Sequence, residues 1–173
     1  MCYNVDTINS NFAEKENVVE RSQLNEIYKK LDEKAKDISK LFHCDFSYFN
    51  GHYYKTQSGE YEMDYFPIPV VSLKGVCDIE IALNQISVTT KLTRETAISY
   101  DFEKVKSYSF EAYGANNYLD DFYIVGDTIN NMVEKIKSSR ETHIFFSFYF
   151  PFEVATSIVC EFVKLIRNDG FFY

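Results

Sequence analysis

The stretch Thr142-His143-Ile144-Phe145-Phe146-Ser147-Phe148-Tyr149-Phe150-Pro151-Phe152 constrains this chain more than any other. Nearly every position in it is apolar or aromatic. A strand with one wet face alternates polar and apolar residues, because successive side chains point to opposite sides. This run does not alternate in that way, so residues 143–150 are expected as a central strand with both faces covered. The run is too short to cross a bilayer as a helix. It dictates architecture and says nothing about chemistry.

Helical periodicity appears in three places. Leu24, Ile27, Tyr28, Leu31, Ala35, Ile38, Leu41 and Phe42 recur at three- and four-residue steps, which predicts a helix over 22–42 that Ser22 can cap. Ile129, Met132, Val133 and Ile136 predict a second helix over 127–138, capped by Asp127. Val154, Ala155, Ile158, Val159, Phe162, Val163 and Ile166 predict a third over 152–167, with Pro151 beside its first turn and Asn168-Asp169-Gly170 as a left-handed exit.

Between these lie strand signals. Asn50-Gly51 favours a type I′ turn, which would pair Phe49 with His52. Tyr61, Met63 and Tyr65 alternate with Glu62 and Asp64, and Pro67 and Pro69 predict that this strand ends or lies at an edge. Cys77, Ile79, Ile81 and Leu83 occupy odd positions, whereas Ile86, Val88, Thr90 and Leu92 occupy even ones. A turn at Asn84-Gln85 reconciles the two phases, placing Glu80 opposite Thr89 and Asp78 opposite Lys91. Tyr108, Phe110 and Ala112 suggest a further strand, leaving 114–117 as a loop.

The expected fold is therefore α+β: two layers, a mostly antiparallel sheet of about five to seven strands, and two or three helices against it. A length of 173 residues suits one globular domain, 1–173, with 1–20 as a loose N-terminal arm.

Charge is concentrated in the middle. Residues 45–125 hold 12 acidic and 6 basic side chains, which supplies most of the net charge of −8. No Lys/Arg run exists to release counterions from phosphate, so nucleic acid is not an expected partner. A basic protein is, because an acidic surface steers cationic partners toward it. The four cysteines, at 2, 44, 77 and 160, form no C-x-x-C pair, and Cys77 and Cys160 fall in apolar patterns. There is no apolar leader and no Asn-x-Ser/Thr sequon, so the expectation is a reducing cytoplasm and no membrane.

Motifs for catalysis are missing: no G-x-S-x-G, G-x-G-x-x-G, phosphate loop or H-E-x-x-H. A Cys–His pair from Cys44 with His52 or His143 needs contact that spacing does not supply. No cofactor is implied, and the balance leans away from an enzyme. Glu62, Asp64, Asp78 and Glu80 lie at period two on two strands and would share one sheet face if those strands are neighbours. A solvated face, a docking surface and a metal or acid–base site are the readings open to them. Tyr61 and Tyr65 beside them suit a binding surface, since tyrosine buries area yet keeps a polar tip. Aromatics make up 17% of the chain, which codon composition alone can also produce. The leading expectation is a non-catalytic protein-binding module, of inhibitor, antitoxin or immunity type, docking a basic partner through Tyr61, Glu62, Asp64, Tyr65, Asp78 and Glu80. The alternatives are a small-molecule or enzyme pocket lined by Tyr and Phe between sheet and helices, and a homodimer joined through the aromatic surface.

Overall fold

The computed structural model describes residues 21–55, 61–82, 85–108, 112–115 and 129–173, with backbone alone for 21–24, 50–55, 61–66 and 112–115. The expected arm over 1–20 and the Asp127 cap lie outside these residues. In chain order the elements are α1 (Arg21–Phe42), β1 (Ser47–Lys55), β2 (Tyr61–Leu73), β3 (Cys77–Ile81), β4 (Gln85–Thr93), α2 (Arg94–Ser99), α3 (Glu103–Lys106), β5 (Ala112–Ala115), α4 (Ile129–Ser138), β6 (His143–Pro151) and α5 (Thr156–Asn168). The six strands form one sheet in the order β1-β2-β3-β4-β6-β5, antiparallel at every pairing. The α+β, two-layer expectation holds.

One face of the sheet meets the helices. The register aligns Val71 with Ile79, Ile79 with Val88, and Val88 with Phe148, so these side chains point the same way. Cys77, Ile81, Ile86, Leu92, Ile144, Phe146 and Phe150 join them, all buried. Leu31, Ala35 and Ile38 of α1, Met132 and Ile136 of α4, and Val159, Phe162, Val163 and Ile166 of α5 complete the same core. Aromatic rings fill its centre: Phe162 lies 5.0 Å from Phe148 and 5.2 Å from Phe150, and Phe102 lies 5.4 Å from Phe146, between ring centroids. Burying one such side chain contributes about 2–3 kcal/mol.

The ribbon at 143–150 is extended and paired on both edges, but it is not the central strand. It is next to last in the sheet, and its burial alternates strictly. Ile144, Phe146, Phe148 and Phe150 are sealed, while Phe145, Ser147 and Tyr149 are half-buried on the other face. No second helical layer is needed over it. Part of the shielding of Phe145 comes from Lys91, whose ammonium sits 5.5 Å from its ring centroid.

Several local expectations are corrected. Asn50-Gly51 makes no turn: β1 runs through it, with Asn50 opposite Pro67 and His52 opposite Asp64. Pairing with β2 along nine residues of aromatic-rich strand outweighs a short local hairpin, and Gly51 falls where the register shifts, as a glycine at a bulge does. Pro67 and Pro69 do not end β2. That strand continues to Leu73, and the prolines are tolerated because β3 pairs only with Val70–Leu73.

The β3–β4 hairpin keeps its expected facing, but its pairing slips by two residues. Ala82 donates its N–H to the Gln85 carbonyl at 2.9 Å, and Ile81 stands opposite Ile86. Glu80 therefore faces Ser87, and Asp78 faces Thr89 rather than Lys91. Gly114 and Ala115 belong to β5, not to a loop, and Tyr108 sits in the turn after α3. The segment 94–106 forms the short helices α2 and α3.

Helix ends follow capping chemistry. α5 begins at Thr156, later than expected, after a turn in which Val154 donates to the Pro151 carbonyl. Its exit is as expected: Gly170 takes φ +86°, Gly170 donates to the Arg167 carbonyl at 3.3 Å, and Phe171 to the Ile166 carbonyl at 2.9 Å. α1 ends by the same device with His43 at φ 53°, Cys44 donating to the Ser39 carbonyl at 3.1 Å. Leu41 and Ile158 fall off the apolar stripes and are exposed.

Candidate binding face

The face of the sheet turned away from the helices is polar at its centre. On β3, alternation sends Cys77, Ile79 and Ile81 inward and Asp78 and Glu80 outward, both half-buried. The pairing then builds two rows across the strands. Val70, Glu80, Ser87 and Tyr149 form one; Ser72, Asp78, Thr89 and Ser147 form the next. Neighbouring strands are about 4.8 Å apart, and residues two apart on a strand about 7 Å, so each carboxylate stands beside a hydroxyl-bearing residue. The Thr89 and Ser147 hydroxyls are 3.2 Å apart and hydrogen-bonded. Ser87 is only 7% exposed.

The cation that the sequence seemed to assign to Asp78 is engaged elsewhere. Lys91 places its ammonium 5.0 Å from the Phe172 ring centroid and 5.5 Å from that of Phe145. Its backbone is held as well: Lys91 N–H donates to the Phe172 carbonyl at 2.8 Å, and Phe172 N–H returns to the Lys91 carbonyl at 3.0 Å. Phe172 thus prolongs the line of β3 along β4. His143 meets the Phe172 ring edge-on at 5.6 Å.

Asp78 and Glu80 come together on this face. Tyr61, Glu62 and Asp64 stand on the far half of β2, opposite Lys55, Tyr54 and His52 of β1, and Tyr65 follows them. Six residues separate Asp64 from Val70, the β2 partner of Glu80, or about 20 Å of strand. The register shift between Asn50 and His52 also interrupts the alternation of β2 over that stretch. Ser87, Ser147 and Tyr149 went unnoticed, and Thr89 was expected only as the partner of Glu80, because charge does not mark hydroxyls. Their signal was the odd-numbered polar positions within otherwise apolar strands.

The cysteines and histidines assemble no nucleophile among the described residues. Burial, with a smaller contribution from Asp45, pushes the Cys44 thiol up, the reverse of what a reactive thiolate needs. Cys77 is sealed, and burial pushes it up to about 12. His143 lies four strands from β1, about 19 Å away across the sheet from the strand that Cys44 leads into. Beside Cys44, an open groove of about 600 Å³ is lined by Lys36, Ser39, Lys40, His43, Asp45 and Phe46. The described residues contain no group of three His, Cys, Asp or Glu side chains able to hold a metal ion, and no helix among them is long and apolar enough to cross a membrane.

Two clamps hold the helical layer. Lys34 of α1 donates to the Val154 carbonyl at 2.5 Å, and burial pulls its ammonium below its ordinary value. The Tyr100 hydroxyl donates to Asp169 at 2.9 Å; burial first, and then that carboxylate, push the phenol up.

No family model matches the chain, and no curated protein does. Among solved structures it is similar to a conserved hypothetical protein from Pyrococcus furiosus, with a TM-score of 0.61 and 17% identity, covering 86% of this chain and 97% of that one. The likeness at this identity shows a shared fold.

Proposed function

We propose that this chain is a non-catalytic protein-binding module that docks a basic partner through the helix-free face of its sheet, in the manner of an inhibitor, antitoxin-type or immunity-type protein. The observation that carries the reading is the register of β3 on β4. It sets Asp78 and Glu80 opposite Thr89 and Ser87, not opposite a cation, while Lys91 is taken up by two phenylalanine rings. Two adjacent carboxylates on the helix-free face, in a chain of net charge −8, favour a cationic visitor. The far half of β2, with Tyr61, Glu62, Asp64 and Tyr65, is the second acidic segment of the proposed surface. A reducing cytoplasm suits the buried free thiols of Cys77 and Cys160. A ligand pocket between sheet and helices draws no support from that interface, where Phe102, Phe146, Phe148, Phe150 and Phe162 are each at most 2% exposed.

The test is binding of a fluorescein-labelled deca-lysine peptide, followed by anisotropy. Affinity should fall steeply with added salt. The Asp78→Asn/Glu80→Gln double variant should weaken it about tenfold, at about 0.7 kcal/mol for each half-buried charge. Binding indifferent to salt and to both substitutions would sink the proposal.

A further inference from the structure

We infer that the edge of β1 pairs antiparallel with β1 of a second copy of this chain, joining two six-stranded sheets across a two-fold axis at Gly51. The inference stands apart from the docking reading above. β1 is an end strand of the sheet among the described residues. Every second residue of such a strand turns its N–H and C=O away from the sheet. Ser47, Tyr48 and Phe49 are all exposed, Tyr48 by 51% and Phe49 by 56%, although neighbours in a strand point to opposite faces. Three of the five large apolar side chains exposed among the described residues, Leu41, Tyr48 and Phe49, lie between positions 41 and 49. Such clustering marks an interaction surface. Tyr48 is held in place: its hydroxyl donates to Asp32 at 2.9 Å, and its ring meets Phe46 edge-on at 5.6 Å. β1 also lacks the devices that blunt an edge. In a chain of net charge −8 it has no carboxylate and no proline, and its one lysine is the last residue.

The sequence of β1 selects the occupant. Read as Ser-Tyr-Phe-Asn-Gly-His-Tyr-Tyr-Lys, it is nearly palindromic about Gly51. Antiparallel pairing on that axis sets Tyr48 opposite Tyr54 of the second copy, Phe49 opposite Tyr53 and Asn50 opposite His52. Each aromatic residue of β1 falls opposite another, the cross-strand pairing that contributes most to a sheet. A shift of two residues either way loses this match. Opposed residues share parity, so faces and hydrogen-bonding positions agree between copies. The register shift does not spoil the alternation: between Asn50 and His52 β1 takes two steps while β2 takes three, from Pro67 to Asp64, so the extra residue belongs to β2. Room exists as well. α1 packs over β2, and three strand spacings separate β2 from its copy, about 14 Å, which exceeds the 8–10 Å of packed helices. Pairing β1 with the short β5 of another copy would leave open ends, whereas β1 on β1 closes. The contact is one strand wide, below about 1,200 Å², which suits a weak dimer with Kd of about 10–100 μM. Two chains of like charge repel, so added salt strengthens it.

The experiment is sedimentation equilibrium of the full chain in reducing buffer, from about 5 to about 500 μM protein and at about 50 and about 500 mM salt. A monomer–dimer equilibrium that tightens with salt is expected. Phe49→Lys places a charge on the exposed edge; it should weaken the dimer at least about tenfold and leave the melting temperature of the dilute monomer unchanged. Hydrogen exchange of the wild type at both ends of the concentration range supplies a readout independent of that variant. Amides of β1 should gain protection on concentrating, and those of β3 should not change. A monomer throughout the range overturns the inference. So does a dimer that Phe49→Lys leaves intact, or one that forms without protecting β1. Deca-lysine binding weakens with salt and this dimer strengthens, so the failure of either leaves the other standing.

Discussion

Cys77 makes the stability of this fold sensitive to alkali. Its side chain is fully sealed between β3 and the helices, and burial, then Asp78 and Cys44, raises the thiol from 9.0 to about 12. The folded chain therefore keeps its proton over a range in which the unfolded chain has lost it. Unfolding releases a proton there, so this contribution is complete below pH 9 and drains as pH rises toward 12. One pH unit of separation is worth about 1.4 kcal/mol, so the whole loss is about 4 kcal/mol, with about 3 kcal/mol gone by pH 11. The assay is urea unfolding in reducing buffer from pH 8 to pH 11, on the wild type and on Cys77→Ala. The alanine leaves a small cavity whose cost, about 1 kcal/mol, does not depend on pH. Tyr100 and Cys44 shift in the same direction but are present in both chains and cancel. The stability difference between wild type and variant should change by about 3 kcal/mol across the range, with the wild type losing ground. A difference that stays constant refutes the argument.

Two other substitutions probe the helical layer. Gly170→Ala forces a Cβ into a left-handed turn at φ +86° with nothing within 4 Å to obstruct it; the cost is conformational alone, about 1–2 kcal/mol, seen as a lower melting temperature, and an unchanged melt would argue against that exit geometry. Arg94→Ala removes guanidinium bonds to the Ile136 carbonyl at 3.3 Å and the Lys137 carbonyl at 2.5 Å, at the end of α4; it should cost about 1–2 kcal/mol and speed hydrogen exchange in α4, and full rescue by Arg94→Lys would count against the two-pronged contact.

Much of the fold could be read from periodicity. The stripe Leu31-Ala35-Ile38 and the phases of 77–81 and 86–92 each describe one buried face, and such faces form wherever the tertiary partner lies. What periodicity misses is pairing. Asn50-Gly51 has ideal turn chemistry, yet β2 offers β1 a longer partner than its own second half could. The apolar run at 142–152 looked two-sided because Phe145 and Tyr149 are aromatic, although Ser147 already marked the outer phase. The candidate face shows the same division. Asp78 and Glu80 stood out by charge, and their outward direction followed from alternation. Their neighbours did not, because a two-residue slip in a hairpin preserves facing while exchanging every partner: Lys91 for Thr89 opposite Asp78, Thr89 for Ser87 opposite Glu80. Only the register exposes Ser87 as buried beside a carboxylate.

The place of β6 in the sheet also sets the order in which the protein can assemble. The strands β1 to β4 follow one another and pair with chain neighbours. β6 instead slides between β4 and β5, and Ser147 meets Thr89 across 58 positions of chain. Closing so long a loop delays its reward, which slows folding. Until that insertion, the most aromatic and least charged ribbon in the molecule has no partner, and the facing edges of β4 and β5 stand open to any strand that arrives first. Concentrated or overheated preparations should therefore be lost to intermolecular strand exchange at β6 rather than to the opening of the β1–β4 meander.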